Sequence, residues 1–188
     1  MRLRRLQEEF GDRLQVEWRS FLLRPRPDPS TTLERFRAYT QSWMRAAADP
    51  DGGTFRVWQS DEGPPSHSIP PHLVAKAAAR LGDEAFRRMH ERLLHAYFAE
   101  NRDITKEDTL RAVWREVKLP DAEFAQSADP ALLQETIAQH DEAVEAGVTG
   151  VPAVRMEGQG AAIVGAHPID LYRRWVNRAL VERTEERQ

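Results

Sequence analysis

The sequence contains no cysteine in its 188 residues. These residues can form no disulfide, no thiolate nucleophile and no thiolate-ligated metal site. Lysine is nearly as scarce, with 3 residues against 24 arginines. The arginines are scattered, which fits codon bias from a GC-rich genome better than a cluster built for phosphate or carboxylate recognition. An excess of either charge is lacking too: 27 basic and 30 acidic residues leave a net charge of -3. That balance excludes a dedicated nucleic-acid binder and a polybasic membrane binder. No apolar run reaches the roughly 18 residues that a transmembrane helix needs. The opening MRLRRLQEEF has no apolar stretch of the kind a secretory signal carries. Together these absences give the expectation of a cytoplasmic protein without membrane partners.

What is present is enough for a packed domain. A chain of this length buries roughly 70% of its unfolded surface on folding, so no staple is needed. Apolar residues recur with clear periods nearly throughout, which argues against disorder. Leu3, Leu6 and Phe10 share one helix face, and Gly11 stands where such a helix stops. Leu14, Val16 and Trp18 then alternate with Gln15, Glu17 and Arg19, a strand signature over 14–21. Three prolines in RPRPDPS (24–30) make a stiff linker.

A helical block follows. Thr31 with Glu34 reads as a capping box for a helix over 32–47. Ser68, ahead of Pro70 and Pro71, caps a helix ending at Gly82, and Asp83 caps the next over 84–100. Leu110, Val113, Trp114 and Val117 stripe another helix begun by Thr105 and Asp108. Asp129–Pro130 opens a helix to Gly147 with Leu133, Ile137 and Val144 as its expected apolar stripe. The period then changes: AVRM (153–156), a glycine turn and AAIVGA (161–166) read as a β-hairpin before a last helix from Pro168.

Strand material at both ends with helices between predicts one α/β sheet interrupted by a helical insertion. The expected division is 1–31 with 129–188 as the sheet-bearing domain and 32–128 as the all-helical insertion. A helix feeding a strand is the second half of a βαβ unit, and its first strand is not in this sequence. That predicts a start codon assigned at an internal Met1, with a degenerate, inactive paralogue as the alternative.

The tightest local motif is GVTGVPAV (147–154), two glycines and then Pro152 at a strand start. From spacing alone an ordinary trans proline is expected there, since only about 5–6% of X–Pro bonds in folded proteins are cis. GVTGVP, the hairpin and VGAHPIDLY (164–172) resemble the C-terminal half of DsbA-like thioredoxin-fold proteins. The resemblance is to the FrnE-like and 2-hydroxychromene-2-carboxylate isomerase branch. It is carried also by VEWRSFLLRP (16–25), IPPHLVAKAA (69–78) and LLHAYFAENRDIT (93–105), in order over nearly all of 1–181.

The resemblance implies a thioredoxin-like fold missing its first strand, and a thiol–disulfide oxidoreductase acting on a disulfide-containing protein or small thiol substrate. It makes Pro152 the cis-proline and Val151 the residue pairing with substrate, with Thr149 and Gly150 beside them. The family's catalytic cysteines have no position here, so no catalytic residue is assigned and enzymatic activity stays open. One alternative is a glutathione-dependent isomerase or kappa-class transferase relative, which would bind glutathione; otherwise no cofactor is expected. Another is a non-catalytic binding protein in which a partner, such as the second copy of a homodimer, covers the open strand edge. His72 and His167 are candidates for a cleft lining, although helix-face packing and a helix start account for them as well. The six histidines have no metal-ligand spacing, so no metal site is expected. Arg102 and Asp103 read as a structural salt bridge or cap.

Overall fold

The computed structural model describes residues 2–28, 30–49, 52–158 and 162–185, with side chains to 182. The chain divides into two compact units, one of Met1–Arg19 with Val144–Gln188 and one of Ser20–Ala143. The first unit holds helix α1 (Arg2–Phe10), strands β1 (Ala153–Arg155) and β2 (Ala162–Val164), and helix α8 (Ile169–Glu185). Leu6 and Phe10 of α1 meet Tyr172 and Val176 of α8 in one buried cluster. Burying such side chains stabilises by about 1.5–3 kcal/mol each. Gly11 ends α1 at φ +54°, a left-handed turn that glycine adopts without strain. The hairpin is antiparallel, with Ala153 opposite Val164, Val154 opposite Ile163 and Arg155 opposite Ala162. Val154 and Ile163 point onto the α1–α8 cluster.

The sheet differs from expectation. Residues 14–19 keep the alternation read from the sequence, with Leu14, Val16 and Trp18 half-buried and Gln15, Glu17 and Arg19 exposed. Yet among the described residues the only sheet is the two-stranded β1–β2 pair. The pleat direction is set locally, whereas a ladder needs a neighbouring strand. Just beyond, side chains stand in for one. The Ser20 N–H donates to Gln139 Oε1 at 2.8 Å, and the Leu22 N–H donates to His140 Nδ1 at 3.2 Å.

The second unit is helical: α2 (Leu33–Thr40), α3 (Trp43–Ala47), α4 (Ile69–Ala79), α5 (Asp83–Phe98), α6 (Glu107–Glu116), a 3-10 helix (Asp121–Ala128) and α7 (Pro130–Glu145). Val74, Ala77 and Ala78 of α4, Met89, Leu93 and Ala96 of α5, and Val113 and Trp114 of α6 form its main core. Trp114 also donates its indole N–H to the Pro120 carbonyl at 3.0 Å, which fixes the turn into the 3-10 helix. A second cluster packs Phe36, Trp43 and Trp58, with Phe55, Tyr97 and Phe98 around them.

Several local expectations are corrected. The helix expected over 32–47 is two helices, because the Thr40 hydroxyl donates to the Arg37 carbonyl and the Ser42 hydroxyl to the Tyr39 carbonyl where they meet. Its cap is Thr32, whose Oγ1 accepts from the Arg35 N–H, while the Thr31 hydroxyl is bound to Asp28. Ser68 does hold the N-cap position of α4, but its side chain makes no cap bond and its Oγ accepts from the Arg24 N–H instead. Gly82, at φ +110°, holds the cap position of α5, and Asp83 is the first helical residue. Lys106 stands at the cap of α6, because Asp103 Oδ1 already takes the Thr105 N–H and hydroxyl. On α7 the buried residues are Leu132 and Thr136, while Ile137 and Val144 are 42% and 50% exposed. The inward face of α7 is partly polar because Gln139 and His140 serve the backbone of residues 20–22.

Candidate functional site

The loop 147–152 leads from α7 into β1. Gly147 turns the chain at φ +79°, and a Cβ placed on Gly150 would meet nothing within 4 Å. Thr149, Val151 and Pro152 are exposed, Val151 at 48%. The Val151–Pro152 peptide is cis. One side of the loop is anchored. The Pro152 carbonyl accepts from the Gly165 N–H at 2.8 Å, extending the hairpin by one bond. The Gly165 carbonyl in turn accepts from the Tyr172 hydroxyl at 3.2 Å, and Tyr172 is buried in the α1–α8 cluster. Gly165 sits at φ +100°, a backbone conformation that glycine adopts without the strain a side chain would bring. The other side of the loop is open: among the described residues no hydrogen bond engages the amide or carbonyl of Val151. Chemically this is an exposed loop edge that presents a donor and an acceptor unbonded among the described residues, anchored on its other side.

The two histidines belong to different units. His167 lies in the unit with the loop, where its Nε2 is 3.1 Å from the Val164 carbonyl and its ring stands edge-on to Tyr172. It braces the β2–α8 turn. His72 lies on α4 in the other unit. Burial lowers its pKa from the usual 6.5 to about 4, helped by the charge of Lys76 and opposed by a bond to the Phe21 backbone. Arg102 is ion-paired with Glu116 at 2.9 Å, and Asp103 caps the turn before α6, both structural roles. Among the described residues no group of three or more His, Asp or Glu is placed to hold a metal ion. No helix among them is long and apolar enough to cross a membrane.

Sequence reasoning gave the loop but not its supports. In the sequence Tyr172 falls in the helix that starts at Pro168 and Gly165 in the AAIVGA strand segment; the Gly-x-His-Pro run after β2 is the signal that a tight turn sits there.

The model of the DSBA-like thioredoxin domain matches residues 1–176. The chain belongs to that family. A solved structure described as a protein disulfide isomerase from Nitrosomonas europaea shares the fold, with a TM-score of 0.79 at 15% identity, covering 96% of this chain and 89% of that one. The cytosolic disulfide reductase DsbM from Pseudomonas aeruginosa gives 0.70 at 18% identity, over 95% of this chain and 90% of its own. At these identities both show the fold. No curated protein gives a significant match. The thioredoxin-like architecture with a helical insertion is thereby established, here with a two-stranded sheet among the described residues.

Proposed function

We propose that this chain is the substrate-holding part of a DsbA-type thiol–disulfide system, in the FrnE-like and isomerase branch, and that Thr149, Gly150, Val151 and Pro152 hold an extended segment of substrate. The observation that carries the reading is the exposed, unbonded backbone of Val151 next to the anchored Pro152. An extended chain laid along Val151 gains main-chain hydrogen bonds by strand addition, with specificity left to neighbouring side chains. The open space beside Gly150 lets that chain approach closely. No thiol exists among the 188 residues, so disulfide exchange is not performed by their side chains. The likeness to a protein described as a cytosolic disulfide reductase supports a cytoplasmic setting.

A second reading follows from the same absence of cysteine. A glutathione-dependent isomerase needs no thiol of its own, because the cofactor supplies it. Reduced, carboxamidomethylated insulin B chain and glutathione separate the two readings by fluorescence anisotropy and calorimetry. Saturable binding of the B chain, weakened about tenfold or more by Val151→Pro through loss of one main-chain donor, supports the first reading. Binding of glutathione without the B chain supports the second and overturns the first.

A further inference from the structure

A two-stranded hairpin has two outer edges, and the β1–β2 pair treats them differently. The Pro152 carbonyl accepts from the Gly165 N–H, so in this antiparallel register Pro152 and Val154 turn their polar backbone groups toward β2. Ala153 and Arg155 turn theirs away from it. By the same alternation the Val164 carbonyl leaves the outer edge of β2, where His167 Nε2 meets it at 3.1 Å. On the outer edge of β1, among the described residues, no hydrogen bond engages the amide or carbonyl of Ala153. The side chains divide as well. Val154 and Ile163 pack on the α1–α8 cluster, so Ala153 and Val164, directly opposite one another, lie on the other face with Arg155 and Ala162. Val164 is 37% exposed there, and Arg155 is exposed at the far end.

We infer, on the reading that Val151 holds substrate, that the bound segment continues along the outer edge of β1. The site then takes an extended polypeptide with an apolar residue opposite Ala153 and an acidic one opposite Arg155, rather than a small thiol. Antiparallel addition is favoured, because its ladder is slightly more stable per residue than a parallel one. In that pairing the residue opposite Ala153 exchanges both main-chain bonds with it, and its side chain falls beside Ala153 and Val164. Two residues earlier the segment passes Arg155, whose charge favours a carboxylate directly across. Val151 precedes Ala153 with only Pro152 between, so loop and edge bind one continuous segment.

The test is a backbone NMR titration of the full chain with the acetylated, amidated peptide Thr-Glu-Thr-Val-Thr-Val-Thr. Its central valine should settle opposite Ala153 and its glutamate opposite Arg155, with amide shifts at Ala153 and Arg155 as well as Val151. N-methylation of the central valine should weaken binding about tenfold, the worth of one lost hydrogen bond. N-methylation of the threonine after it, whose amide points away from the edge, should change binding by less than about twofold. Lysine in place of the glutamate should weaken binding about two- to fivefold. Shifts at Gly150 and Val151 without Ala153 and Arg155, or equal effects of the two N-methyl groups, overturn the continuation and leave the loop reading standing. Binding that ignores the change of glutamate to lysine overturns the acidic preference. Absence of binding anywhere over 149–155 overturns both readings. Shifts at Ala153 that grow with protein concentration and no peptide assign the edge to a second copy of the chain and overturn the inference.

Discussion

The two units bury their cores differently. In the helical unit Trp58, Trp114, Met89, Val74 and Val113 are all fully buried, and long helices pack side by side. In the other unit the buried cluster is Leu6, Phe10, Tyr172 and Val176 under two strands of three residues each. A two-stranded hairpin is marginal alone, so its stability rests on the helices beneath it. The candidate binding loop is therefore carried by the thinner unit and braced through Gly165 and Tyr172. In the proposed reading an added strand needs an incomplete edge, which the unbonded backbone of Val151 supplies.

Substitutions sharpen this contrast. Trp114→Ala removes the largest side chain of the helical core and its bond to Pro120, and should cost about 3–5 kcal/mol in denaturant unfolding. Leu6→Ala should cost about 2–5 kcal/mol, with exchange protection lost in α1 and α8. Equal loss of protection in α5 and α6 would break the contrast.

Acidity is the next probe. His72 holds a pKa of about 4 against an unperturbed 6.5, so the unfolded chain binds this proton first as pH falls. Its contribution is complete above pH 6.5 and is lost as pH falls toward about 4. The loss should be on the order of 2–3 kcal/mol, and His72→Gln should flatten it in the same unfolding measurement. Thr32→Ala, which removes the cap of α2, should cost about 1 kcal/mol.

Much of this was readable from sequence where the cause is local. Gly11, the Asp129–Pro130 start of α7 and the α6 stripe of Leu110, Val113, Trp114 and Val117 follow from turn chemistry and helical period. The motif at 147–152 pointed to the loop. What could not be read depends on distant partners. Residues 14–19 have a strand's pattern but no ladder, because pairing is decided by what lies alongside. The inward face of α7 was misjudged because Gln139 and His140 are turned in by bonds to residues over a hundred positions earlier. Gly165 and Tyr172 gain their roles only when the hairpin brings Pro152 beside them.

The most direct test of the central claim is backbone NMR mapping of the chain with reduced, carboxamidomethylated insulin B chain. The account predicts amide shifts concentrated on Thr149, Gly150, Val151 and Ala153, and weaker binding in Tyr172→Phe. Shifts absent from that loop, with binding localised elsewhere, would contradict it.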